Sequence, residues 1–310
     1  MNKVNHQSGL TRESDSVHRT LRWLTLATLV ATYLLIVLGS TVRVTESGMG
    51  CKGWPLCSGQ VGPIDNIHAL LEQSHRYLAT IVTILICVVA VVVWRAGKRA
   101  SHLRTLAVAG VGVIAVQIVL GAITVITNNA PATVALHLIV GLLFLAIVTV
   151  TAVRAFIGPE WEWDPFRNGG QLAFWSLASI FLVLISGSLV VDGGAEEACP
   201  SWPFCVGSHA QGGLIDLQLI HRAIVLIGTV LVLAYLVKVL RSSSISASQR
   251  GLSITALVLL AVQIAAGAVV AITKAPEALA DIHLALAAAL WSVLVADVTV
   301  GSLSGKKLAN

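Results

Sequence analysis

Charge is scarce in this chain. Asp, Glu, Lys and Arg make up 11% of its 310 residues, against 56% hydrophobic ones, whereas a soluble domain carries about 25% charged residues. That shortage excludes an ordinary water-soluble domain. Strand-like alternation of apolar and polar residues is also missing, which argues against a membrane barrel. The first 20 residues are polar and mixed in charge, and no small-residue cleavage site follows the first apolar run. That run is therefore expected to be a retained helix rather than a signal peptide.

What the chain has instead is apolar runs of about 20 residues, each enough to cross a bilayer as a helix. Eight recur, near 21–42, 73–94, 104–127, 133–153, 171–191, 217–239, 252–272 and 281–302. The net charge of +5 reads as orientation rather than as a polyanion site. With the N-terminus inside, fifteen of the 20 Lys and Arg lie on the cytoplasmic side, and only Arg43, Lys52, Arg76, Arg222 and Lys274 lie outside. That is the positive-inside pattern.

The sequence is written twice. The first copy reads Gly39, Cys51, Cys57, His75-Arg76, Gln117, His137; the second reads Gly187, Cys199, Cys205, His221-Arg222, Gln263, His283. The glycines and cysteines repeat at a spacing of 148, the glutamines and histidines at 146. Each copy holds four apolar runs, and an even number returns the chain to the same side. The expected fold is an all-α integral membrane protein of eight transmembrane helices. It forms two four-helix bundles as parallel repeats about an axis along the membrane normal, with both termini cytoplasmic. The divisions are a tail (1–20), a first bundle (21–156), a cytoplasmic linker (157–170), a second bundle (171–302) and a tail (303–310).

His75, His137, His221 and His283 open the second, fourth, sixth and eighth runs, all at the extracytoplasmic end under that topology. A lone histidine there is an ordinary polar interface residue. Four at matched positions, paired 62 residues apart in both copies, point to two bis-imidazole sites for a flat metal cofactor. Haem suits a bundle of this kind. Zinc would want four clustered ligands, which two spaced pairs do not supply. Arg76 and Arg222 are candidates to bind haem propionates; headgroup-facing arginines are the alternative. His6, His18 and His102 are expected to be solvated, and His68 and His209 to lie in outer loops.

Both cysteine loops read Cys-x2-Trp-Pro-x-Cys. In an oxidising compartment two disulfides, Cys51–Cys57 and Cys199–Cys205, are expected, either pinning lids over the sites or relaying electrons. Cys87 has no counterpart in the other copy and reads as a packing residue. Gln117 and Gln263 read as interhelical hydrogen-bonding residues. The copies differ at one telling place. Glu72 lies one turn before His75, where the second copy has Gln218. A carboxyl there is a candidate for acid–base work; a hydrated interfacial glutamate or a partner for Arg76 is the alternative.

Taken together, Glu72-x2-His75-Arg76, His137, His221-Arg222, His283, the two cysteine loops and the stretch Gly39–Arg76 resemble the haem A synthase family in its bacterial, cysteine-bearing form. The resemblance covers essentially the whole chain apart from the termini. It implies oxidation of the methyl at ring carbon 8 of haem O to a formyl group, giving haem A for terminal oxidases. It further implies substrate haem held by His75 and His137, a resident haem b held by His221 and His283, Glu72 as the essential carboxylate, and haem O synthase as a protein partner. A di-haem b-type cytochrome carrying electrons from quinol would explain the four histidines equally well, but not why one copy alone has Glu72. A disulfide-exchange enzyme has no use for paired histidines at helix mouths. A transporter would place polar residues on broken helices near mid-membrane.

Overall fold

A computed structural model describes residues 2–51, 53–57, 59, 61, 66–158, 161–164 and 169–305; for 2–15, 161–163 and 304–305 it describes the backbone alone. Eight helices dominate: α1 (Asn2–Val44), α2 (Ile67–Arg95), α3 (Arg104–Ile126), α4 (Pro131–Ile157), α5 (Gln171–Asp192), α6 (Gly212–Leu240), α7 (Ala247–Ile272) and α8 (Glu277–Gly301). Each includes a stretch long and apolar enough to cross a membrane, so the chain is a multi-pass membrane protein. A short 3-10 stretch, Gly97–Leu103, leads into α3.

Most of these helices begin earlier than their apolar runs. The first is helical from Asn2, ahead of the apolar residues. The Asn66 side chain accepts a hydrogen bond from the His68 N–H at 2.8 Å and starts α2 at Ile67, a standard N-cap. Pro131 opens α4 at its first turn, where its missing N–H costs nothing. Apolar patterning could not reveal these outer turns, because they emerge from the hydrocarbon and carry polar residues. His68 is consequently helical rather than in a loop.

α1 packs on α2 and α4, and α3 packs on α2 and α4, so the first four helices close a ring. α5 packs on α6 and α8, and α7 on α6 and α8, closing a second. The rings meet along α1, α4, α5 and α8. Tyr33 on α1 donates to the Ala285 carbonyl of α8 at 3.1 Å, and the Trp291 indole on α8 donates to the Leu142 carbonyl of α4 at 3.0 Å. At the histidine end, the Arg43 guanidinium on α1 meets Asp192 on α5 at 2.9 Å, and Thr41 donates to Asp281 on α8 at 2.7 Å.

In the linker and the C-terminal segment, β1 (Trp161–Trp163) pairs antiparallel with β2 (Leu303–Gly305), strapping the inter-half connection to the end of α8. Residues 159–160, 165–168 and 306–310 of those two segments lie outside the described residues.

Near that strap the second ring holds a buried acid. Asp297 on α8 accepts hydrogen bonds from Tyr235 of α6 at 2.6 Å and Ser253 of α7 at 2.8 Å, and all three are buried. The positions 146 residues earlier are Thr151, Val89 and Ala107, and among the described residues the Thr151 hydroxyl bonds the Ile147 carbonyl of its own helix. Cys87 faces outward rather than packing inside. His102 is half-buried with both ring nitrogens out of solvent, not solvated as its flanking charges suggest.

Candidate haem-binding and catalytic site

The four candidate histidines sit on even-numbered helices, between one and three turns inside rather than at the first residue. His75 and His137 lie close enough to interact electrostatically, and so do His221 and His283. The two pairs expected from the 62-residue spacing are therefore brought together within each ring.

Every one of these imidazoles rests against a glycine on the odd-numbered helix beside it. A Cβ added at Gly39 would stand 3.0 Å from Cε1 of His75; at Gly121, 3.4 Å from His137; at Gly187, 3.3 Å from His221; at Gly267, 2.9 Å from His283. Bare backbone at these four points leaves room for each ring to approach the neighbouring helix through its Cε1 edge. Gly39 and Gly187 were visible in the repeat. Gly121 and Gly267 were missed, although their separation of 146 matches that of the histidines and could have exposed them.

The polar surroundings of the rings are sparse. His221 shares a 2.8 Å hydrogen bond between Nδ1 and Ser186 Oγ. Among the described residues, Nδ1 of His137 and of His283 are buried without a partner. Buried polar atoms normally find one. Gln263 reaches His283, with Nε2 to Nε2 at 3.3 Å, so it does bridge α7 and α8. Gln117, its counterpart, lies against Gly141 on α4.

Both cysteine pairs are disulfide-bonded, with Cα atoms 4.6 Å apart in the first loop and 4.9 Å in the second. The arginines after the histidines hold these loops. Arg76 donates to the carbonyls of Gly53 and Pro55 at 3.0 and 3.1 Å. Arg222 donates to those of Ser201, Pro203 and Cys199 at 2.8, 3.0 and 3.0 Å. Both were candidates for haem propionates or lipid headgroups; here they bind loop backbone, and Arg76 also pairs with Glu72.

Glu72 and Gln218 occupy matching positions with opposite surroundings. Glu72 is buried, and its Oε2 accepts the Cys51 N–H at 2.7 Å while its Oε1 pairs with Arg76. Gln218 instead donates through Nε2 to the carbonyls of Ala195 and Glu196 at 2.8 and 3.1 Å. An acid needs donors and an amide group can use acceptors, so each loop presents the backbone group its partner requires. Gly50 permits the first arrangement. A Cβ there would fall 2.5 Å from the α2 backbone at His68 and Ala69, and the second copy has Ala198 in its place.

Residues 22–295 match the family described as cytochrome oxidase assembly protein. The chain belongs to that family. Relatives of this chain include "Heme A synthase" of Geobacillus thermodenitrificans, 31% identical over 62% of this chain and 63% of that protein, just under two thirds of its length. "Heme A synthase" of Alkalihalophilus pseudofirmus is 29% identical over 90% of this chain and 96% of its own, and that of Bacillus cereus 25% over 93% and 95%.

The glycine contacts of this family member make a testable point. Gly267→Ala should improve helix propensity by about 1 kcal/mol yet force the His283 ring off its seat, an overpacking cost of about 1–3 kcal/mol. With a haem held on His283, as proposed below, the expected result is an intact, stable protein whose haem absorbance and low-spin resonance signals are shifted. Gly121→Ala, with 3.4 Å of room, should shift them less. Identical spectra for the two variants and the parent would show that the seats do not set ring orientation.

Proposed function

We propose that this chain is a haem A synthase, converting haem O to haem A by oxidising the ring C8 methyl to a formyl group. The observation that carries the reading is an asymmetry. One buried carboxyl, Glu72, stands a single turn from an interacting pair of imidazoles, and the equivalent place in the other ring holds an amide. The matched relatives, which are named for the synthesis of haem A, support it.

In this reading the first ring receives haem O between His75 and His137, and the second keeps haem b between His221 and His283. The residues present fit such planar guests. Two imidazole nitrogens are buried without partners, each ring lies on a glycine that a side chain would fill, and the rings interact in pairs. The resident haem b, when bound, supplies one-electron redox chemistry. Glu72 holds or moves protons beside the substrate, anchored by Arg76 and by the Cys51 N–H. The disulfide of the first loop keeps that N–H in place. Ser186 fixes the ring orientation of His221, the usual task of a partner to a ligand histidine.

The membrane arrangement belongs to the same proposal. The two rings are parallel repeats, 21–156 and 171–302, with both termini cytoplasmic and the histidines toward the extracytoplasmic side. The positive-inside distribution and the two closed rings support this. Haem O synthase, which makes the substrate, is the expected protein partner.

Expressing the chain in a host that makes haem O but no haem A tests the function. Extracted pigment should contain a haem with the mass and red-shifted absorbance of the formyl product. Membranes that gain bound haem but only haem O and haem b would instead support the di-haem cytochrome.

A further inference from the structure

The cysteine loops carry a surface that the catalytic reading does not use. Trp54 and Leu56 in the first loop are exposed, Trp54 at 49%; in the second, Trp202 is 51% exposed, Phe204 74% and Val206 72%. Large apolar rings turned outward on connecting loops of two matched segments call for an occupant.

Depth identifies it. Each loop is fastened through its backbone carbonyls to Arg76 or Arg222. On α2, Arg76 stands nineteen residues before Arg95, and Arg222 stands nineteen before Arg241 at the end of α6. At about 1.5 Å per residue that is roughly 28 Å, close to the ~30 Å thickness of a bilayer's hydrocarbon core. Arg95 and Arg241 close the far ends of their helices, so Arg76 and Arg222 stand at the level of the opposite boundary, and the loops are folded down to that level. The outer turns of α2 and α6 run on past them.

The surface is also continuous with the lipid-facing side of the helices. Leu70, Tyr77 and Ile81 on α2, and Leu219, Ile220 and Leu226 on α6, are exposed beside the loops, and the Tyr77 hydroxyl ties to the Val61 carbonyl at 2.9 Å. The second loop, Cys199–Gly207, contains no charged residue, and the first, Cys51–Gly59, contains only Lys52. Tryptophan favours the boundary between headgroups and acyl chains.

We propose that the two Trp-Pro loops are membrane-surface anchors, with Trp54, Leu56, Trp202 and Phe204 inserted at the headgroup–acyl boundary of the leaflet on the histidine side. Each disulfide and its arginine hold the loop rigid, and the inserted rings keep the mouth of each histidine pair level with the lipid. The inference does not depend on which reaction the site performs.

The full-length protein, labelled with 5-fluorotryptophan and placed in phosphatidylcholine nanodiscs, tests it. Trp54→Phe and Trp202→Phe serve only to assign two fluorine resonances; the measurement is made on the parent protein. Lipid bearing a nitroxide at acyl carbon 5 should broaden both resonances strongly, and a water-soluble gadolinium chelate should leave them sharp. Broadening of either ring chiefly by the chelate would overturn the proposal and leave that loop as a water-facing dock for another protein.

Discussion

Glu72→Gln should keep its pigment and lose formyl production. The carboxylate now accepts from two donors, the Cys51 N–H and the Arg76 guanidinium. An amide offers one oxygen, and its NH2 must then face whichever donor is left. The substitution therefore removes the titrating group and also sets donor against donor at the root of the first loop. Loss of a positioned acid–base group costs about 100-fold to 10,000-fold in rate, and the misfit adds to it. The check is conversion of haem O in membranes containing equal amounts of bound haem b. Retained conversion would remove Glu72 from the chemistry. Gln218→Ala gives the contrast: it loses two hydrogen bonds to loop carbonyls, and conversion should fall only a few fold.

On the proposed ligand set, His283→Ala should strip haem from the second ring. Removing even an outer-shell partner of a metal ligand costs about 10–100-fold in affinity, so losing the ligand should exceed 100-fold. The vacated space is defined on one side by Gly267 and on another by Gln263, and it is large enough for a free imidazole. Added imidazole should restore a low-spin spectrum in this variant and have no effect on the parent. His137→Ala should leave that resident spectrum intact and impair haem O retention. If His137→Ala abolished the resident spectrum and His283→Ala spared it, the roles of the two rings would be reversed.

Much of this arrangement was legible because a membrane simplifies the code. Long apolar runs fix the number of helices, and a duplicated pattern marks the pairs of histidines. The limits have physical causes. The first turns of α2 and α6 stand outside the hydrocarbon, so apolar patterning placed their starts too late and put His68 in a loop. The loop contacts of Arg76 and Arg222 were not legible, because a guanidinium bonding to carbonyls of a loop some twenty residues away leaves no periodic trace. Gly121 and Gly267 hid among the many small residues of membrane helices. The opposed environments of Glu72 and Gln218 were half visible. The residues differed plainly, but the orientation of the Cys51 and Ala195 peptides is a matter of backbone geometry, hinted at only by Gly50 standing where the second copy has Ala198.

Asp297 gives the two rings different mechanical characters. Where helices touch through methyl groups, sliding by a fraction of a turn costs little, since one dispersion contact replaces another. A carboxyl gripped by hydroxyls from two further helices has no equivalent neighbouring position, so α6, α7 and α8 are riveted at the end away from the histidines. Val89, Ala107 and Thr151 offer no such rivet to α2, α3 and α4. A bulky guest would therefore meet slack in one ring and a clamp in the other.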